Sequence, residues 1–127
     1  MKKLKILLLL TAITTLLFTG CGKNENELVM VTEADFAPYE YYKDGKVVGV
    51  DIDIANEIAK ELGKKLVVKD IAFDSIINEL KSGKADFAAA GLSITEDRKK
   101  QVDFTVEYTT SNQVVVVKKD SQITDIN

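Results

Sequence analysis

The stretch AAAGLSITEDRKK brings together residues that could bind a small ligand carrying both a negative and a positive charge. Arg98 offers two parallel N–H donors that match the two oxygens of a carboxylate. Ser93 adds a backbone N–H for the same group, while its hydroxyl and the open carbonyl of Gly91 suit an ammonium group. An α-amino acid carries both groups on one carbon, so these residues are candidates for an amino-acid site.

The same residues also allow a plainer interpretation. The charged run around Arg98 could be a solvated helix face, in which Arg98 pairs with Glu96 or Asp97. Gly91 and Ser93 could be ordinary turn residues. Spacing alone leaves both interpretations open.

A second stretch, TEADFAPYE, follows an apolar run at Leu28–Thr32 and offers different chemistry. Glu33 should be ionised at neutral pH unless it is buried, and it could accept hydrogen bonds from the polar end of a ligand. Phe36 could pack on the side chain of that ligand. The alternatives are a surface glutamate and a core phenylalanine.

The elements that must position these residues alternate between strand and helix patterns. Apolar residues recur at helical spacing after Asp51 and again after Phe73, and each pattern stops at a glycine, Gly63 or Gly83. Asp51 is the expected N-cap of the first helix. The turn signal Asp44-Gly45 predicts a β-hairpin. Strands are expected at residues 28–32, 66–71, 85–91 and 112–119.

A further short helix is expected to begin at Thr95, whose hydroxyl can cap it. Arg98 would then lie in its first turn, where the helix N-terminus itself attracts anions. Strands that alternate with helices of this length indicate an α/β fold with a mostly parallel sheet. Ligands of such sheets bind beyond the carboxyl ends of the strands, where both stretches lie.

The N-terminus is typical of a targeting segment. Lys2, Lys3 and Lys5 precede an apolar run that ends in LLFTGC, and this run is shorter than the ~20 residues of a membrane span. The segment resembles a bacterial lipoprotein signal, which implies cleavage before Cys21 and lipid on that cysteine. The alternative is a free thiol at Cys21. As the chain has one cysteine, an intrachain disulfide is excluded.

Composition excludes several classes of function. The chain has a formal net charge of −3, and all 20 acidic residues lie after Cys21, so the exported part does not suit nucleic acid. With no histidine in the chain, catalytic triads that need histidine and histidine-ligated metal sites are ruled out. No cofactor is expected.

Three consecutive motifs together resemble the amino-terminal lobe of the polar amino-acid solute-binding proteins of ABC importers, which have the periplasmic-binding-protein type 2 fold. The order of the motifs is that of the family, and they cover nearly all of the chain after the tether. They are VTEADFAPYEYY, GKVVGVDIDIANEIAKELG and FDSIINELKSGKADFAAAGLSITEDRKKQVDFT.

The resemblance implies a role for each candidate residue. Arg98 and the Ser93 N–H would hold the ligand carboxylate, and Gly91 and Ser93 would receive its ammonium group. Phe36 would cover the ligand side chain and Glu33 would bind its polar end. The site residues are therefore expected to be Glu33, Phe36, Ala90, Gly91, Ser93 and Arg98, with Ala90 lining the wall.

Two departures from the family pattern affect these expectations. The family often has an aromatic residue where this chain has Val50, which predicts a one-sided aromatic contact. Family members are also about twice as long, and their ammonium-binding aspartate lies in a second lobe. The expected organisation is a signal peptide at 1–20, a tether at 21–27, lobe 1 at 28–112 ending in the first hinge crossing, and the start of a truncated second lobe at 113–127.

The resemblance implies an extracytoplasmic, lipid-anchored protein that passes a polar or basic amino acid to an ABC importer permease. The implied fold is one α/β lobe of a two-lobed protein, with helices flanking the sheet and an N-terminal β-hairpin. An amino-acid sensor module and a dehydratase-like enzyme on the same fold are the alternatives. The enzyme would need an acid/base pair, for which Glu33 has no evident partner in the sequence.

Overall fold

The computed structural model describes residues 24–112 and 114–125 and contains a three-stranded parallel sheet. Strand β1 (Glu27–Thr32) is central, with β5 (Lys65–Asp70) on one side and β6 (Phe87–Ala88) on the other. The apolar run of β1 is buried almost throughout, as expected for a strand covered on both faces. The predicted α/β class with a parallel sheet is confirmed.

A small antiparallel sheet follows β1. It contains β2 (Asp35–Phe36), β3 (Glu40–Lys43) and β4 (Lys46–Val48). Asp44 and Gly45 join β3 to β4 with φ angles of 51° and 75°, the two positive values that a tight two-residue hairpin turn requires. The predicted hairpin is therefore confirmed.

Helices cover both faces of the parallel sheet. Helix α1 spans Val50–Glu61, a 3-10 turn at Phe73–Ser75 leads into α2 (Ile76–Lys81), and α3 spans only Glu96–Lys99. Among the residues described, no helix is long and apolar enough to cross a membrane. The predicted cap of α3 is confirmed, because the Thr95 hydroxyl accepts a hydrogen bond from the Arg98 backbone N–H at 3.3 Å.

The start of α1 corrects the prediction that Asp51 caps it. The helix begins at Val50, and Asp51 lies inside the first turn with no exposed surface. The first N–H groups are bound by backbone carbonyls of the preceding loop, Val50 to Pro38 at 3.1 Å and Asp51 to Tyr39 at 3.0 Å. Because these carbonyls accept the hydrogen bonds of the first N–H groups of the helix, a side-chain cap is not needed. The predicted stop at Gly63 is confirmed by its φ of 63° just beyond the helix.

Alternate residues of β1 build two apolar layers. One face packs on α2 and the other on α1, as the two-residue period of a strand requires. The α2 layer contains Val29, Val31, Ile76, Ala85 and Ala90, and the α1 layer contains Met30, Ile52 and Ala55. The sheet therefore lies between two helical layers.

Two of the predicted strands differ in the structure. The small-residue strand expected at 85–91 is reduced to the two residues of β6. The run Val114–Val117 lies in no strand, and each of its side chains is exposed. A strand forms only where a neighbouring backbone supplies hydrogen-bond partners, and none of the described strands pairs with this run.

Candidate functional site

The carboxyl edge of the parallel sheet brings the two predicted stretches together. Glu33 follows β1, Phe73 lies shortly after β5, and Gly91 follows β6. Neighbouring parallel strands end at the same edge, so residues distant in sequence meet there.

Arg98 is held at this edge by contacts with the backbone and with an aromatic ring. Its Nη1 donates a hydrogen bond to the Ser93 carbonyl at 2.9 Å, and its Cζ lies 5.3 Å from the centre of the Phe73 ring. That distance is within the range of a cation–π contact. The guanidinium is thus fixed between the β6 loop and the residue that begins the 3-10 turn.

The interpretation of Arg98 as the ion-pair partner of its acidic neighbours is wrong. Glu96 pairs with Lys99 at 2.9 Å, and Asp97 pairs with Lys100 at 2.8 Å. Arg98 is half-buried and turns instead towards Ser93 and Phe73. Since α3 has four residues, any attraction for an anion rests on the guanidinium and not on the helix terminus.

Gly91 and Phe36 are in contact, as expected if both line one wall. Gly91 has a φ of 54°, and a Cβ placed on it would lie 2.9 Å from Cε1 of Phe36. The Phe36 ring is 52% exposed and stacks on Tyr39, with ring centres 5.6 Å apart. Ala90 is buried in the α2 layer directly before Gly91, so it supports this wall from below.

Glu33 is half-buried and already has one partner. Its Oε1 accepts a hydrogen bond from the Phe73 backbone N–H at 3.1 Å, which links the β1 loop to the turn after β5. The open recess beside it has a volume of about 440 Å³ and is acidic. It is lined by Glu33, Ala34, Asp35, Tyr42, Asp70, Ile71 and Ala72.

Asp70 shapes this recess and was not anticipated from the sequence. Its Oδ1 accepts a hydrogen bond from the Ala34 N–H at 2.9 Å, and its Oδ2 accepts one from the Tyr42 hydroxyl at 3.0 Å. The hydrogen bond to Asp70 raises the pKa of Tyr42. Asp70 therefore ties the loop that carries Glu33 to the hairpin.

Phe73 is the second residue that sequence reasoning missed. Its helical spacing with Ile76 and Ile77 indicated only a core face, although its position just after β5 at the carboxyl edge was an available signal. The ring contacts Arg98 and the backbone N–H contacts Glu33. Phe73 therefore connects Arg98 with the acidic recess beside Glu33.

The predicted residues do not all share one cavity. A second recess of about 390 Å³ lies under β6 and includes Ala90 but neither Glu33 nor Arg98. It is largely apolar, with Leu80, Phe87, Leu92, Phe104 and Tyr108 among its lining residues. Among the described residues, no group of acidic or cysteine side chains could hold a metal ion. The candidate site is therefore an open edge and not a closed pocket.

A parallel α/β lobe with polar and aromatic groups at the carboxyl ends of its strands is a ligand-binding lobe of the periplasmic-binding-protein type. The chain belongs to the bacterial extracellular solute-binding proteins, family 3, whose profile matches residues 28–125. The resemblance stated from the sequence motifs is thereby confirmed.

Relatives of known name include arginine binders. The arginine-binding extracellular protein ArtP of Bacillus subtilis (strain 168) is 40% identical over 125 residues, which cover 93% of this chain and 49% of ArtP. The chain spans about half the length of the curated relatives it matches.

Solved structures are similar as well. An ancestral arginine-binding protein bound to arginine has a TM-score of 0.61 and 52% identity, over 63% of this chain and 36% of that chain. The arginine-bound form of domain 1 from TmArgBP has a TM-score of 0.58 and 42% identity, over 59% and 60% of the two chains. An ancestral cyclohexadienyl dehydratase has a TM-score of 0.64 and 33% identity, over 66% and 35%.

Proposed function

We propose that the chain is the ligand-binding lobe of an extracytoplasmic solute-binding protein that captures a polar or basic amino acid for an ABC importer. The position of Arg98 carries the proposal. Its guanidinium is held by Ser93 and Phe73 at the carboxyl edge, while the neighbouring carboxylates pair with lysines. The arginine-binding names of the relatives support the same class of ligand.

The main-chain groups of the ligand would bind at the β6 end of the edge. Arg98 and the Ser93 N–H would hold the carboxylate, and the Gly91 carbonyl and Ser93 hydroxyl would receive the ammonium group. The absence of a Cβ at Gly91 supports this mode, because it lets a ligand approach the backbone beside the Phe36 ring.

The ligand side chain would extend from Phe36 and Phe73 towards the acidic recess. Oε1 of Glu33 already accepts the Phe73 N–H, so its second oxygen is the one proposed to meet the ligand. Asp35 and Asp70 lie around the same recess and add negative charge. This charge favours a cationic side chain, and arginine is the first ligand we propose.

Isothermal titration calorimetry of the full chain in detergent tests this proposal, with L-arginine, L-lysine, L-glutamine and L-aspartate as probes. We expect saturable binding that is tightest for L-arginine and weakest for L-aspartate, because the recess is acidic. Equal dissociation constants for all four probes, or tighter binding of L-aspartate, would contradict the proposed site.

We propose binding without chemical conversion. The dehydratase relative makes the enzyme the second candidate, and an enzyme would need a proton donor or acceptor within reach of the ligand. Glu40 lies near Gly91, with Oε1 4.0 Å from the point where a Cβ on Gly91 would stand, but it is only 1% exposed. Mass spectrometry of a cyclohexadienyl substrate after prolonged incubation should recover it unchanged, and loss of water would favour the enzyme.

The lipid anchor and the domain boundaries are proposed on sequence alone. Cys21 and the signal segment 1–20 lie outside the described residues. We propose lipidation of Cys21 after cleavage, a tether up to residue 27, lobe 1 at 28–112 and the start of a second lobe at 113–127. The variant Cys21→Ser should move from the membrane fraction to the soluble fraction, whereas retention equal to wild type would refute the anchor.

A further inference from the structure

Two carboxyl groups are buried together beneath the wall formed by Phe36 and Gly91. Glu40, the first residue of β3, is 1% exposed, and Asp51, in the first turn of α1, is fully buried. They are neighbours, because the Asp51 backbone N–H donates a hydrogen bond to the carbonyl of Tyr39, the residue before Glu40, at 3.0 Å. Two neighbouring carboxyl groups can hydrogen-bond to each other only when one of them carries a proton.

Two carboxyl oxygens of the pair lack a hydrogen-bond donor within the described part of the chain, which also favours a proton between the two groups. Oε2 of Glu40 and Oδ1 of Asp51 are buried and have no donor among the described residues. A buried oxygen without a donor is unfavourable, and a shared proton supplies the missing one. Burial, followed by the bond to Asp51 and the charges of Asp51 and Asp35, raises the pKa of Glu40 from 4.5 to about 8.

The pair contacts the ligand wall on one side. Oε1 of Glu40 lies 4.0 Å from the point where a Cβ on Gly91 would stand, and the Phe36 ring lies against the same point. The Phe36 ring in turn stacks on Tyr39, the residue before Glu40. Glu40 therefore lies directly behind the wall.

On the other side, the pair holds the segment that follows α3. The Tyr108 hydroxyl donates a hydrogen bond to Oδ2 of Asp51 at 3.1 Å, across 57 residues of sequence. The hydroxyls of Tyr39 and Thr109 form a second link at 3.1 Å. Burial, followed by the negative charge of Asp51, raises the pKa of Tyr108, so its hydroxyl stays a donor.

We propose that Glu40 and Asp51 share one proton, and that this shared proton positions Tyr108 and the segment 108–112 against the ligand wall. Loss of the proton leaves two negative charges in a buried site. Repulsion then separates the carboxylates and loosens both the segment and the wall. These residues are positioning residues that do not themselves touch the ligand.

The surroundings of the pair favour the protonated form. Asp35 of β2 adds negative charge near the pair, and the neutral Tyr108 hydroxyl donates its hydrogen bond to Asp51. Burial and the negative charge of Asp35 oppose a second negative charge on the pair, so the proton is expected to leave only at alkaline pH. In the proposed two-lobed protein, segment 108–112 leads to the second lobe. The Glu40–Asp51 pair and its bond to Tyr108 would then fix the position at which that lobe is attached. This last step rests on the proposed function.

The shared proton is tested first without any ligand. In the full chain with isotope-labelled glutamate carboxyl groups, nuclear magnetic resonance should show one glutamate that titrates near pH 8. That signal should be missing in Glu40→Gln. The amide signals of residues 108–112 should broaden or shift with the same midpoint. If no glutamate titrates above about pH 6, the pair does not share a proton and the proposal fails.

Ligand affinity supplies the second readout, with L-arginine as the probe. The dissociation constant of wild type should rise by up to about tenfold per pH unit above the midpoint. Glu40→Gln should follow a flatter profile, since its amide donates to Asp51 at every pH. Because titration of the free amino acid affects both proteins equally, the difference between the profiles isolates Glu40. Identical profiles would overturn the positioning role.

The variant Tyr108→Phe removes the hydrogen bond that links segment 108–112 to Asp51. It should leave the glutamate titration in place while the amide signals of residues 108–112 lose their pH response. Tyr42→Phe, whose hydroxyl bonds Asp70 instead, is the matched control and should change neither. A response of segment 108–112 that survives Tyr108→Phe would refute the link through Asp51. If no probe amino acid binds at all, the proposed function fails. The titrations of Glu40 and of the amide signals of residues 108–112 still test the shared proton and its link to Tyr108.

Discussion

Arg98→Ala, measured with two ligands, is the sharpest test of the site. L-arginine carries an α-carboxylate, and agmatine is the same molecule without it. If Arg98 binds that carboxylate, the substitution should weaken the binding of L-arginine and leave the affinity for agmatine unchanged. The structure makes this comparison possible because Arg98 approaches Ser93 and Phe73 and does not pair with Glu96 or Asp97.

The expected magnitude follows from the hydrogen bonds that are lost. A hydrogen bond to a charged group contributes about 1.5–3 kcal/mol. Each 1.4 kcal/mol is about tenfold in affinity, so the dissociation constant of L-arginine should rise roughly tenfold to a hundredfold. The substitution also removes the cation–π contact between Arg98 and Phe73. Such a contact contributes about 0.5–1 kcal/mol to stability at an exposed site.

Calorimetry with both ligands and with Lys100→Ala as a control completes the design. Lys100 lies just after α3 and pairs with exposed Asp97, so its removal changes the charge by the same amount without touching the edge. We expect the control to bind both ligands like wild type. Equal weakening of L-arginine and agmatine by Arg98→Ala would refute carboxylate binding and would leave Arg98 a purely structural role.

Three further substitutions test other parts of the site. Glu33→Gln keeps an oxygen for the Phe73 N–H but removes the charge, so calorimetry should show a large loss for L-arginine and little change for L-glutamine; equal losses would contradict a charge-reading role. Gly91→Ala places a methyl group against the Phe36 ring at a φ of 54° and should lower the free energy of unfolding by about 1–2 kcal/mol, measured in urea; no change would mean that the loop relaxes freely. In wild type the contribution of Glu40 to stability is complete below its ordinary pKa of 4.5 and declines up to about pH 8, by at most about 1.4 kcal/mol per pH unit; urea melts of Glu40→Gln should lack this decline, and parallel curves would refute it.

Features that depend on a few consecutive residues could be predicted from the sequence. The Asp44-Gly45 turn, the Thr95 cap and the stop at Gly63 are local, because each involves groups within about four residues of one another. The alternation of strand and helix followed from hydrophobic period, and with it the parallel sheet. The motifs also identified the family and the edge at which Glu33 and Arg98 lie.

Features that depend on contacts between distant segments were decided by tertiary structure. Asp51 was expected to cap α1, but the carbonyls of Pro38 and Tyr39 take that place and leave it buried beside Glu40. The run Val114–Val117 has strong strand propensity and forms no strand, since propensity does not supply a pairing partner.

The contacts of Phe73 with Arg98 and of Asp70 with the Glu33 loop likewise join elements far apart in the chain. The sequence by itself determined which residues could bind an amino acid and on which edge of the sheet. Only the packing decided which of their atoms already have hydrogen-bond partners and which carboxyl groups are buried. The physical reason is that burial and hydrogen-bond partners belong to pairs of residues, and these pairs exist only once the chain has folded.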